Sequence, residues 1–133
     1  LGGLELALSC DIIVAGADAQ IADGHLAYDA MPGSGGTRRL PARTGYSGAL
    51  RFLLEAPTLD GETARRWGIV DEVAPAGGAL PRGEEIARTI AARAPPLVHA
   101  IKASLRAASP PATDRSYLDA FRQVVIERLV PAS

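Results

Sequence analysis

Glu5 is the only charged residue in the run Gly2-Gly3-Leu4-Glu5-Leu6-Ala7-Leu8-Ser9-Cys10. The two glycines permit a tight turn and the residues after them are helix formers, so the segment reads as a turn feeding an apolar helix. A carboxylate carried on such a helix is costly to bury ionised unless donors surround it. That is the setting in which a side chain serves as general acid or base. The turn also places backbone N–H groups at the positive end of a helix dipole, able to stabilise an oxyanion developing on a carbonyl. A proton-transfer group and an oxyanion donor would then sit side by side. Taken alone, a Gly-Gly turn before a helix suits plain close packing as well.

Asp23-Gly24-His25 puts a carboxylate and an imidazole two residues apart, close enough to share a face of an extended segment, so that either could orient the other. A surface turn with a solvated histidine fits the same pattern. Asp29 is the one further ligand nearby, so no metal site is expected. Met31-Pro32-Gly33-Ser34-Gly35-Gly36-Thr37 holds three glycines and a proline in seven residues. It lacks the Lys-Ser/Thr ending of a phosphate-binding P-loop and the spacing of a dinucleotide fingerprint. Two readings stay open for it: a loop lining a pocket with its backbone, or the structural start of a helix. Cys10, without a histidine at motif spacing, reads as inert core packing. His99 reads as a surface or interface residue.

These groups need elements to hold them. Residues 11–15, β-branched and ended by Gly16, read as a buried strand, and residues 19–22 as a second one. Residues 47–55 read as helix and 57–59 as extended chain. Asp60 caps a short helix through Trp67, which Gly68 stops before a strand over 69–73. A Pro/Gly-rich connector over 75–83 leads to three amphipathic helices at 84–93, 97–107 and 115–129, parted by Pro95, Pro96, Pro110 and Pro111.

With 14 basic and 15 acidic residues and a formal net charge of -1, no basic stripe points to a nucleic-acid partner. Charges interrupt every apolar run well before the roughly 20 residues a membrane span needs. The single cysteine rules out an internal disulfide and fits a reducing, cytoplasmic setting. The chain opens inside an apolar, Gly-rich stretch rather than a polar linker, which leads us to expect a missing N-terminal part.

The string Leu1-Gly2-Gly3-Leu4-Glu5-Leu6-Ala7-Leu8-Ser9-Cys10-Asp11-Ile12-Ile13 resembles the central signature of the crotonase superfamily of enoyl-CoA hydratases and isomerases. Three further matches follow in the same order: Pro32-Gly33-Ser34-Gly35-Gly36-Thr37-Arg38-Arg39-Leu40, Leu59-Asp60-Gly61-Glu62-Thr63-Ala64 and Trp67-Gly68-Ile69-Val70-Asp71-Glu72-Val73. The helical tail with Ala100-Ile101-Lys102 is similar too. The resemblance implies an α/β fold, a crotonase-like spiral of ββα units with its N-terminal half missing. Residues 1–75 would form the C-terminal part of that core and residues 76–133 a helical region packed against neighbouring subunits, in a homotrimer or dimer of trimers. A coenzyme A thioester would be the substrate, with no separate cofactor.

In such enzymes the glycine matching Gly2 supplies one oxyanion-hole N–H, and the glutamate matching Glu5 is one of two acid-base carboxylates. Gly3, Gly24, Pro32 and Gly33 would border the substrate with Gly2, Glu5 and His25. The pattern expects a second glutamate twenty residues beyond Glu5, and this chain has His25 there. The resemblance thus implies proton transfer through Glu5 with help from His25. Two alternatives stay open: an acyl-CoA-binding homologue without chemistry, and a hydrolase in which His25, oriented by Asp23, activates water.

Overall fold

The computed structural model describes residues 2–108, and the helix expected at 115–129 lies outside them. The described residues divide into two compact units: residues 2–11 with 22–58, and residues 12–21 with 59–108.

The first unit is helical. Helix α1 (Gly2–Leu8) contains both glycines in its first turn, where a separate turn was expected, and it stops at Leu8. Ser9 and Cys10 donate their N–H groups to the carbonyls of Leu6 and Ala7 and close its end. Only Glu5 and Leu8 of α1 are buried, whereas Leu6 is 71% exposed, so the apolar run is covered on one side alone. A 3-10 turn (His25–Tyr28) follows, closed by Asp29 in the left-handed region. Helix α2 (Gly36–Glu55) is bent where Gly45 leaves helical geometry at φ 72 and ψ 168, a conformation that only glycine adopts without strain. The sequence showed only its second half, because Pro41 and the flanking glycines lower the helix propensity of the first. Helices α1 and α2 pack together. The Arg43 guanidinium ties them by donating to the carbonyls of Cys10 and Asp11 at 3.3 and 3.2 Å. Leu8, Leu40, Ala49 and Phe52 form the apolar core of this unit, with Leu40 and Phe52 fully buried. Cys10, expected in a core, is exposed.

The second unit holds the strands. β1 (Val14–Gly16) pairs in parallel with β4 (Glu72–Ala74), Val14 opposite Glu72 and Gly16 opposite Ala74. β2 (Gln20–Ile21) pairs antiparallel with β3 (Leu59–Asp60). Both observed pairs are shorter than the apolar runs that announced them. Ile13, expected within the first strand, instead donates its N–H to the Asp71 carboxylate at 2.7 Å. Helix α3 (Gly61–Arg66) starts where Asp60 caps it, accepting the Thr63 N–H at 2.7 Å, and Gly68 ends it at φ 78. Ile13, Ala15, Leu59, Ala64, Ile69, Val70 and Ala74 are buried in this unit.

Helix α4 (Ala79–Ala91) begins inside the expected 75–83 connector. Pro81 falls in its first turn, where a missing N–H costs nothing. Helix α5 (Pro95–Ala108) likewise opens on its two prolines. Neither α4 nor α5 buries a residue, and Leu97 and Ile101 are 64% and 60% exposed. Among the described residues no helix is long and apolar enough to cross a membrane.

Candidate active site

The first unit brings together Glu5, Asp23, His25 and the loop at 32–36. Glu5 is 3% exposed. Its Oε1 accepts the backbone N–H groups of Ser34 and Gly36, each at 2.8 Å. The donors that burial of a carboxylate requires are therefore peptide groups at the start of α2, where the helix dipole also favours negative charge. Peptide donors cannot rotate away as a side chain can, so they fix the carboxylate plane. The loop itself is braced by Arg39, whose Nη1 donates to the Ser34 carbonyl at 2.6 Å.

Gly36 leaves little room for a side chain in this arrangement. A Cβ built there would lie 3.0 Å from the Pro32 Cβ and 3.1 Å from Glu5 Oε1, closer than ordinary contact. Pro32, buried, thus packs behind Gly36, while Gly33 and Ser34 are exposed.

His25 is anchored from the other side. Asp23, 2% exposed, accepts the backbone N–H of His25 on Oδ1 at 3.0 Å. The same carboxylate lies 2.9 and 3.1 Å from His25 Nδ1 through its two oxygens. The side chain of His25 is only 14% exposed, so the solvated surface turn allowed by the sequence is not what forms. Its other ring nitrogen, Nε2, faces Glu5 Oε2 at 3.7 Å. That is longer than a hydrogen bond. Glu5 and His25, twenty residues apart in the chain, are thus side by side.

Gly2 and Gly3 lie on the exposed side of α1, and a Cβ at either would meet nothing within 4 Å. As first-turn residues their N–H groups have no partner within the helix. Gly24, half-buried, is the residue before the 3-10 turn. Among the described residues no group of three or more His, Cys, Asp or Glu side chains is arranged to hold a metal ion.

Sequence reasoning missed Ser34 and Gly36 as the holders of Glu5. Both act through the backbone, which carries no residue-type signal. The adjacent Gly35 and Gly36 after a proline were the one visible hint that a backbone had to come close to something.

The geometry is that of a buried carboxylate held by peptide N–H groups and facing an imidazole beside a second buried carboxylate. Residues 1–128 match the family described as Enoyl-CoA hydratase/isomerase, and the chain belongs to that family of enzymes. It is 35% identical over 104 residues to the 2,3-dehydroadipyl-CoA hydratase of Escherichia coli (strain K12), a match covering 78% of this chain and 41% of that protein. It is 34% identical over 107 residues to the mitochondrial enoyl-CoA hydratase of Pongo abelii, covering 80% of this chain and 37% of that one. The crystal structure of an enoyl-CoA hydratase from Mycobacterium smegmatis superposes with a TM-score of 0.81 at 32% identity, over 93% of this chain and 58% of that one. The fold is thus part of a crotonase fold, and the chain spans less than half the length of these two curated relatives.

Proposed function

We propose that the full-length protein carrying this chain is an acyl-CoA enzyme of hydratase or isomerase type. Its substrate is a coenzyme A thioester and it needs no other cofactor. The observation that carries this reading is the seating of Glu5, buried, gripped at Oε1 by two peptide N–H groups and turned through Oε2 toward His25. A carboxylate so held keeps one orientation. In an isomerisation, Glu5 takes a proton from the carbon next to the thioester carbonyl and returns it two carbons further on. In a hydration it moves protons between water and the substrate while His25, standing where a second glutamate is expected, holds or protonates the partner group. In either case negative charge gathers on the thioester oxygen, and the Gly2 N–H serves as one of its two donors. Gly3, Gly24, Pro32 and Gly33 border the substrate.

Residues 1–75 form part of the spiral core in this reading, and residues 76–133 form a helical region that joins subunits into a homotrimer or a dimer of trimers. The exposed apolar residues Leu97 and Ile101, one turn apart on α5, support such packing. The exposed free thiol of Cys10 suits a reducing cytoplasm.

Turnover of crotonyl-CoA and of a 3-enoyl-CoA by the full-length protein and its Glu5→Gln variant tests this reading. Removal of a positioned acid or base is expected to lower kcat by about a hundredfold to ten-thousandfold. An unchanged rate in the variant removes Glu5 from the chemistry. The Asp23–His25 pair favours a second reading, hydrolysis by water that His25 activates. Release of free coenzyme A or a cleaved β-diketone would identify it, and full hydrolysis by a His25→Ala variant would dismiss it.

A further inference from the structure

We propose that Asp23 is a positioning residue that fixes the tautomer of His25, so that Nε2 is the nitrogen that exchanges protons beside Glu5. The inference rests on the acid-base reading of Glu5 and His25 given above. It adds which atom of the imidazole works and what makes it so.

Three contacts carry it. Asp23 Oδ1 accepts the backbone N–H of His25 at 3.0 Å, which fixes where the carboxylate sits. The same Oδ1 and its partner Oδ2 lie 2.9 and 3.1 Å from Nδ1. An ionised carboxylate only accepts hydrogen bonds, so Nδ1 must carry the hydrogen that points at it. The hydrogen-free nitrogen of the neutral ring is then Nε2, which stands 3.7 Å from Glu5 Oε2. Asp23 is 2% exposed, so water does not compete for the contact. The ring can take up a proton at Nε2 and release it there while Nδ1–H stays in place, since the Asp23 charge stabilises the imidazolium formed in between. Nothing else is consumed: one proton moves on and off Nε2, and no bond to Asp23 is made or broken. A carboxylate at position 25 could exchange a proton through either oxygen. An imidazole needs its second nitrogen committed elsewhere, and Asp23 commits it.

Asp23→Asn separates this role from simple packing, because it preserves size and reverses the hydrogen-bond logic on one side. Oδ1 of the asparagine stays with the His25 backbone N–H, its required acceptor. The amide NH2 then takes the place of Oδ2, 3.1 Å from Nδ1, where it can only donate, while Oδ1 at 2.9 Å remains an acceptor. Nδ1–H keeps one acceptor in place of two and gains a competing donor, which shifts the ring toward the Nε2–H tautomer, the one that presents a hydrogen to Glu5.

The experiment records two-bond 15N–1H spectra of histidine-labelled full-length protein at a pH where the ring is neutral, with His25→Ala identifying the resonance. kcat and KM for an enoyl-CoA are measured on the same samples. The wild type is expected to show the Nδ1–H pattern, and Asp23→Asn the Nε2–H pattern with unchanged KM. A kcat loss of at least about tenfold is expected, toward the roughly ten-thousandfold typical of a wrong tautomer in a histidine-dependent enzyme. An Nε2–H pattern in the wild type overturns the proposal without any variant. So does an Asp23→Asn protein that flips tautomer at full kcat, or one that keeps both tautomer and kcat, or one that loses kcat without flipping. Full activity in His25→Ala has a different meaning: it removes histidine from the reaction and defeats the acid-base reading itself, whatever the tautomer.

Discussion

Charge is handled in two ways in this molecule. Glu5 and Asp23 are the carboxylates buried among the described residues, each with a dedicated backbone donor: two peptide N–H groups for Glu5, and the His25 N–H for Asp23, which also lies beside the His25 ring. In the strand-bearing unit, Arg82 bridges Glu72 and Glu85 at the surface, and Arg88 pairs with Glu84 one helical turn away. The hydrogen bond to Glu72 holds the Arg82 guanidinium above its ordinary range and, reciprocally, the Glu72 carboxyl below its own. These exposed partners lose little when separated, because water and salt replace them. A buried carboxylate has no such replacement, so every donor around it is fixed by the fold. Orientation of the kind catalysis needs belongs to the first kind of site and not to the second.

The sharpest way to break that contrast is at Gly36. Gly36→Ala puts a methyl 3.1 Å from Glu5 Oε1 and 3.0 Å from Pro32 Cβ, so a neighbour must give by a few tenths of an ångström, and relief on the Glu5 side moves the carboxylate. We expect kcat of the full-length protein to fall, by less than the roughly hundredfold that an ångström's misplacement of a reacting group costs. The loss should largely disappear as a separate effect in a Gly36→Ala/Glu5→Gln double variant, because both changes act on one carboxylate. Additive losses would show that Gly36 acts elsewhere. Gly83→Ala, at a helical glycine where a Cβ meets nothing within 4 Å, should leave kcat unchanged.

A smaller effect is expected at Asp60. The Thr63 N–H holds this carboxyl below its usual value of 3.8. A depressed native value means that the cap stabilises the fold above the unfolded-state value and loses that contribution as pH falls through the native one. Asp60→Ala should therefore lower Tm modestly at neutral pH, with the gap to wild type closing in acid below 3.8. A gap that persists there would assign the effect to packing. The smallest effect is expected at Arg51, which pairs with Glu55 one turn along α2 with both side chains more than half exposed. Arg51→Gln should leave Tm within experimental scatter at physiological salt and change it slightly, if at all, at low salt.

How much of this was legible in the residues follows the same division. Local signals were readable: the Asp60 cap, the stop at Gly68, a helix over 97–107 that α5 extends back through Pro95 and Pro96, and a lone glutamate on an apolar helix. The resemblance to a family spanning the ordered motifs carried the fold. Non-local facts were not readable. The parallel pairing of Val14 with Glu72 joins segments far apart in sequence, and single-strand patterns do not say who pairs with whom. Strand limits slipped for the same reason, since Ile13 is β-branched and buried yet spends its N–H on the Asp71 side chain. The first half of α2 was hidden by glycine and proline, whose propensities were overridden once Gly36 had to approach Glu5. Cys10 was misjudged because a short apolar run does not reveal which of its faces is covered. Glu5 and His25 could be singled out, but their facing each other at 3.7 Å depends on the loop at 32–36 and on Asp23, which only the folded chain shows.

In the proposed reaction Glu5 moves the proton at the carbon beside a thioester carbonyl. Incubation of the full-length protein with a saturated acyl-CoA in D2O, followed by mass spectrometry of the recovered thioester, reads that step without requiring a complete reaction. The wild type should wash deuterium into that carbon, and Glu5→Gln should do so at least about a hundredfold more slowly while still binding the thioester. Deuterium entering at the wild-type rate in Glu5→Gln would contradict the account.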